Sequence, residues 1–151
     1  MSHNIHISVN LPCGRDRAWQ EIADWEGQGR WMLQSKVWVT SEIREGVGTT
    51  IAAFTGPFYK RYPLFSKFGL LDTMVVTNWQ PPTRCDVMHT GKVLKGVGSF
   101  ELVEISKNKV RFNWSEDIEC SRLQFIAIFP FLWIGVRISL ARLSTSLRPP
   151  E

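Results

Sequence analysis

Three side chains with proton-handling chemistry fall where strand alternation turns them toward apolar neighbours: Glu116, His89 and Asp72. In residues 110–118, VRFNWSEDI, the residues Val110, Phe112, Trp114, Glu116 and Ile118 share one face. A carboxylate among such neighbours is costly unless it is paired, hydrated or functional. Inside a hollow, Glu116 would hydrogen-bond a ligand hydroxyl or act as an acid of raised pKa. At the strand's end, near water, it would instead salt-bridge an arginine. His89 alternates with Cys85 and Val87 on a second apolar face, and imidazole can shuttle protons near neutral pH. A His89–Glu116 pair across neighbouring strands would be a minimal acid/base set; the plainer reading is a histidine hydrogen-bonded within the core. Asp72, in register with Leu70, Met74 and Val76, has the same two readings. Arg137, in an apolar setting on the last helix, would neutralise one of these acids or a ligand carboxylate, or else face outward.

Around these groups lies an unusual supply of rings. Trp25, Trp31, Phe54, Trp79, Phe100, Trp114, Phe129 and Trp133 come from every expected element. Any one of them reads as ordinary core. As a set, with Met74, they suggest the lining of a hollow for an apolar molecule. The segment 56–69, GPFYKRYPLFSKFG, mixes aromatics with cations, the makeup of a lid or of a peripheral membrane contact. It also fits a plain surface loop with its rings tucked under.

Several chemistries have no sequence support. The chain holds no GxSxG, HExxH, P-loop or GxGxxG, and Gly46-Val47-Gly48 and Gly96-Val97-Gly98 open no helix. His89 has no partner histidine nearby, so no metal site is expected, and no cofactor is implied. The net charge of +4 comes from scattered Lys and Arg, not from a basic stripe, which argues against nucleic acid as a partner. Cys13, Cys85 and Cys120 are distant and odd in number, which fits a reducing cytoplasm and not a disulfide framework. No signal peptide is legible at the N-terminus. The apolar run 125–136 contains Pro130 and is shorter than the roughly 18 residues of a membrane span.

The elements that must hold these residues follow from periodicity. Ile5, Ile7 and Val9 alternate as a half-buried strand, stopped by Pro12 and Gly14. Ala18, Trp19, Ile22, Ala23 and Trp25 then recur at helical spacing. Gly27 and Gly29 interrupt, and Trp31-Met32-Leu33 predicts a second short helix. A strand from Val37 to Arg44-Glu45-Gly46 makes a hairpin with one beginning near Thr49, whose inward face is either Thr49, Ile51 and Ala53 or Thr50, Ala52 and Phe54. Strands are expected at 70–80, 83–90, 100–105 and 110–118, with 91–98 as a Gly/Lys connection. Proline is welcome only in the first turn of a helix, so the last helix is expected to start near Pro130. Leu132, Val136, Leu140, Leu143 and Leu147 form its inward stripe. At this length residues 1–151 form one domain.

This order of strand, two helices, six strands and long helix resembles the START-like, or SRPBCC, superfamily, particularly its small bacterial, polyketide cyclase/dehydrase-like members. The stretches that carry the likeness are PCGRDRAWQEIADWEGQGRWM, EGVGT, LLDTMVVTNWQPPTRCDVMHTGKV, VRFNWSEDI and SLARLSTSL. The resemblance implies an α+β helix-grip fold: a curved seven-stranded antiparallel sheet wrapped around a long C-terminal helix, with a tunnel between them. It also implies binding of a lipid, polyketide or similar apolar ligand by a carrier or sensor, as a monomer or weak dimer. The alternatives it leaves are a cyclase or dehydratase working through His89 and Glu116, and a ribosome-associated or toxin-like interaction protein. Trp25, Trp31, Phe54, Met74, His89, Phe100, Trp114, Glu116, Phe129, Trp133 and Arg137 are the ligand-binding candidates. Fold alone does not choose among these functions.

Overall fold

The computed structural model describes residues 2–56, 70–91 and 94–148. Segment 57–69, where the lid or membrane contact was expected, lies outside them. The first strand, β1 (Ser2–Leu11), is followed by helix α1 (Arg15–Ile22) and a 3₁₀ turn, Glu26–Arg30. Then come β2 (Ser35–Val39), β3 (Thr50–Thr55), β4 (Leu70–Gln80), β5 (Arg84–His89), β6 (Gly96–Ser106) and β7 (Lys109–Glu119), before helix α2 (Arg122–Ser146). The strands form one antiparallel sheet in the order β1-β7-β6-β5-β4-β3-β2. The first strand therefore pairs with the last, and everything between is a meander. Register shifts at Val76/Asn78 and at Glu104/Ser106 interrupt the ladders, and such irregularities bend a sheet.

Alternation gave the right inward face in most strands. Val110, Phe112, Trp114, Glu116 and Ile118 are all buried, as are Ile5, Ile7 and Leu11 across the β1–β7 ladder. In β3 the inward set is Thr49, Ile51 and Ala53, because Ile51, Ala53 and Thr55 face the interior space described below. Buried side chains gather in two clusters. One joins β1, β7, α1 and the C-terminal half of α2; the other joins Trp25, Val37, Ile51, Val76, Cys85 and Val87.

Four boundaries differ from the expectation. The second short helix is the 3₁₀ turn Glu26–Arg30, which runs through Gly27 and Gly29 and ends before Trp31. Gly27 N donates to Asp24 Oδ1 at 3.2 Å, and a Cβ at Gly27 would press on that same carboxylate. The glycines permit this tight turn and do not break it. β2 stops at Val39, and β6 begins already at Gly96. Gly96 sits at φ +126°, where a Cβ would lie 1.7 Å from Asp117 O, so only glycine can start the strand there.

The fourth difference is the largest. α2 starts at Arg122, with Pro130 in its interior. Ser121 caps it: Gln124 N donates to Ser121 Oγ at 3.2 Å, and Ser121 N donates to Gln124 Oε1 at 3.0 Å. That reciprocal pair fixes the first turn firmly. Pro130 removes one helical N–H, but the residues around it are exposed, so water can serve the released carbonyl. The apolar run is thus part of a 25-residue helix, long and apolar enough by length and composition to cross a membrane, which withdraws the length argument above. Its C-terminal half is nonetheless built into the protein, with Ser139, Leu140, Leu143 and the following Leu147 buried. The N-terminal half is different. Leu123 and Phe131 are almost four-fifths exposed, and Ile126 and Ile134 are more than half exposed.

Candidate functional site

Between the inner face of the sheet, the segment after α1, and α2 lies a cavity of about 360 Å³. Its walls are mostly apolar. Trp25, Trp31, Met74, Phe100 and Trp114, all candidates from the sequence, line it, as do Asp72, His89 and Glu116. Along α2 the lining residues include Ile128, Leu132, Val136, Ser139 and Leu140, with the exposed Phe131 also contributing. Strand alternation explains the sheet's share, and the three- and four-residue spacing of α2 explains the helix's.

Five candidates stand elsewhere. Trp79, one of the rings expected in the lining, meets Trp19 edge to face with ring centroids 5.1 Å apart. Phe54 falls on the opposite face of β3 from the lining residues Ile51, Ala53 and Thr55. Phe129 and Trp133 each lie one residue past the lining positions Ile128 and Leu132, a step off the helix face that meets the sheet. Phe129 packs on Phe125 (ring centroids 5.4 Å apart), which stacks on His3. Trp133 is two-fifths exposed, with the Arg137 guanidinium 5.9 Å above its ring. Arg137 Nη1 donates to the Ser8 carbonyl of β1 at 3.1 Å, so this arginine ties α2 to the sheet edge and meets none of the three acids named here.

The polar part of the wall is one connected group. His89 Nδ1 lies 2.8 Å from Asp72 Oδ1, and His89 Nε2 lies 2.7 Å from Glu116 Oε2. His89 and Glu116 are 6% and 7% exposed. β4 and β5 are neighbours, so the Asp72 contact is diagonal to the Met74–His89 register pair. β5 and β7 are not neighbours, contrary to the expectation of adjacent strands. β6 runs between them, and there Gly98 is the register partner of both Val87 and Glu116. A Cβ at Gly98 would lie 2.9 Å from Glu116 Oε1 and 3.0 Å from Oε2. The bare glycine lets the carboxylate lie over β6 and reach the imidazole.

Electrostatics follow from that geometry. Burial is the largest influence on His89 and works against its charge. The hydrogen bonds to Asp72 and Glu116, with the charges of both, outweigh it and bring the pKa up to about 10. Glu116 is also raised. Burial dominates there, opposed by the hydrogen bond and charge of His89, with the charges of Asp72 and Asp117 adding to the rise. The Cys85 thiol, buried in the same wall, is pushed up to about 12 chiefly by desolvation, which makes it a poor nucleophile. Among the described residues no group of acids, cysteines and histidines is arranged to hold a metal ion.

Sequence reasoning missed two positions that shape the site. Ser139 Oγ accepts from Leu33 N at 2.8 Å and donates to Gly135 O at 2.7 Å, which locks α2 onto the segment after the 3₁₀ turn. Its place three residues after Val136, within the inward stripe, was the available signal. Gly98 was read as the end of a connection; its two-residue spacing from Gly96 was the clue to a strand with one bare face.

Neither a protein-family model nor a curated protein matches the chain. Solved structures do. A START superfamily protein from Mycobacterium smegmatis superposes with a TM-score of 0.74 at 10% identity, covering 97% of this chain and 99% of that one. The Aha1 dimer from Colwellia psychrerythraea gives 0.66 at 17% identity, with 96% of each chain covered. The di-domain ARO/CYC BexL from the BE-7585A biosynthetic pathway gives 0.73 at 10% identity, over 95% of this chain and 45% of that one. At such identities the likeness concerns fold alone. The seven-stranded meander closed by its first strand, the long C-terminal helix and these superpositions together establish a START-like, helix-grip fold for this chain.

Proposed function

We propose that this protein is a carrier or sensor, acting in the cytoplasm as a single domain, that binds a mostly apolar small molecule such as a lipid or polyketide between the sheet and α2. The observation that carries the reading is an apolar cavity with one buried polar cluster in its wall. Apolar walls supply affinity, at about 25 cal/mol per Å² removed from water, and the cluster supplies orientation. The START-like and cyclase neighbours support a ligand-binding use of the fold without naming the ligand.

A cyclase or dehydratase is the second reading, and the His89 environment supports it less. Both ring nitrogens are engaged by carboxylates, which hold the ring's pKa up to about 10 and favour the charged imidazolium over a free base. The carrier reading also gives the outer face of α2 a purpose. Between residues 121 and 148 the only charged side chains are Arg122, Arg137, Arg142 and Arg148. Arginines beside exposed Leu123, Ile126 and Ile134 complement an anionic lipid surface, and Phe131 places that face beside the cavity.

An apolar fluorescent probe tests the reading. It should bind the folded protein at micromolar concentration, weaken several-fold with Trp114→Ala, and be unchanged by Trp133→Ala, which lies off the cavity. Equal effects of the two substitutions would remove the cavity from the explanation. Sedimentation with anionic and with zwitterionic vesicles tests the lipid surface: Ile134→Asp should abolish the anionic-vesicle binding alone.

A further inference from the structure

The polar cluster has a definite proton count. Two short nitrogen–oxygen contacts need one hydrogen each, and a neutral imidazole brings only one. With both carboxylates ionised, a neutral His89 would set a lone pair against a lone pair at one of them. A second proton is therefore required, and the cluster that satisfies both contacts carries a net charge of −1. No lysine or arginine stands among the described residues of the cavity wall. Arg137, the cation the sequence suggested for this duty, is spent on the Ser8 carbonyl. Among the described residues, Glu116 Oε1 accepts no hydrogen bond, although the residue is more than nine-tenths buried. An uncompensated charge in an apolar wall is expensive.

The rings of Trp25, Trp31, Phe100 and Trp114 in the same wall suit a cation, which ring quadrupoles attract.

We infer that the molecule held here is an apolar amine, its protonated nitrogen donating to Glu116 beside His89 and Asp72. This rests on the cavity-binding reading and narrows it: a fatty acid, whose carboxylate would meet the cluster's like charge, is the disfavoured class. The net charge of +4 on the whole chain acts in the opposite sense, drawing anions to the protein in general. A preference for amine over carboxylate is thus a property of the cavity and not of the surface.

The experiment displaces the bound fluorescent probe with dodecan-1-ol, dodecylamine and dodecanoate, three molecules of one chain length. The alcohol tests the cavity itself, and its failure to displace the probe would overturn the binding reading. With the alcohol competing, dodecylamine should bind at least 10-fold more tightly than dodecanoate, and Glu116→Gln should abolish that ratio while leaving the alcohol unchanged. Asp72→Asn should reduce the ratio in the same direction and serves if the first variant does not fold. Equal affinity of amine and carboxylate, or a ratio untouched in a folded variant, overturns the amine inference while leaving the cavity standing.

Discussion

His89 and Glu116 meet at 2.7 Å although their strands are not neighbours, because the strand between them presents Gly98 where a side chain would otherwise stand. The contact is a property of three strands together. Alternation could place both residues on the inner face, but only the missing Cβ lets a glutamate lie across β6.

Gly98→Ala tests this directly. The new methyl would press on both carboxylate oxygens, closer than ordinary van der Waals contact. Gly98 is not at positive φ, so its backbone accepts alanine and the cost falls on the cluster. We expect a loss of roughly 1–3 kcal/mol in chemical denaturation, with the His89 ring resonances shifting toward those of Glu116→Gln. A stable Gly98→Ala protein with an unaltered His89 titration would contradict this account.

The second prediction concerns pH. The folded pKa of His89 is raised to about 10 from an ordinary 6.5. Its contribution to stability is therefore complete below about pH 6.5 and is lost as pH rises toward 10. Glu116 is raised too and acts in the same sense, being least costly when protonated. Between pH 6.5 and 8.5 the wild-type protein should lose roughly 2 kcal/mol, several degrees in Tm. His89→Gln should be less stable at pH 6.5 and show a much flatter profile. Staying below pH 9 keeps the Cys85 thiol, which titrates with the same sign, out of the measurement.

The third prediction separates the two halves of α2. Leu143 is fully buried, and Leu143→Ala should cost roughly 2–5 kcal/mol through lost burial and a residual hole. Ile134→Ala, on the exposed half, should fall within about 0.5 kcal/mol of wild type. Ser121→Ala, which removes the reciprocal cap, should cost about 1 kcal/mol. Urea unfolding of the three variants checks all of these. A large loss from Ile134→Ala would mean that the outer face is packed in solution, against its own chain or a second copy.

What the sequence determined by itself is whatever depends on local periodicity. Val110 through Ile118 had to turn Trp114 and Glu116 to the same side, Cys85 through His89 likewise, and the order of elements along the chain resembles a helix-grip fold. Those are nearest-neighbour facts about a pleated chain. Tertiary structure decided what lies across from what. It put β6 between His89 and Glu116, gave Gly98 its role, and sent Arg137 to the β1 backbone and away from the acids. It carried α2 through Pro130, because exposed neighbours leave the released carbonyl to water, and it left Phe129 and Trp133 one step off the helix face that lines the cavity. A period tells which way a side chain points; only the packed sheet and helix tell what it meets there.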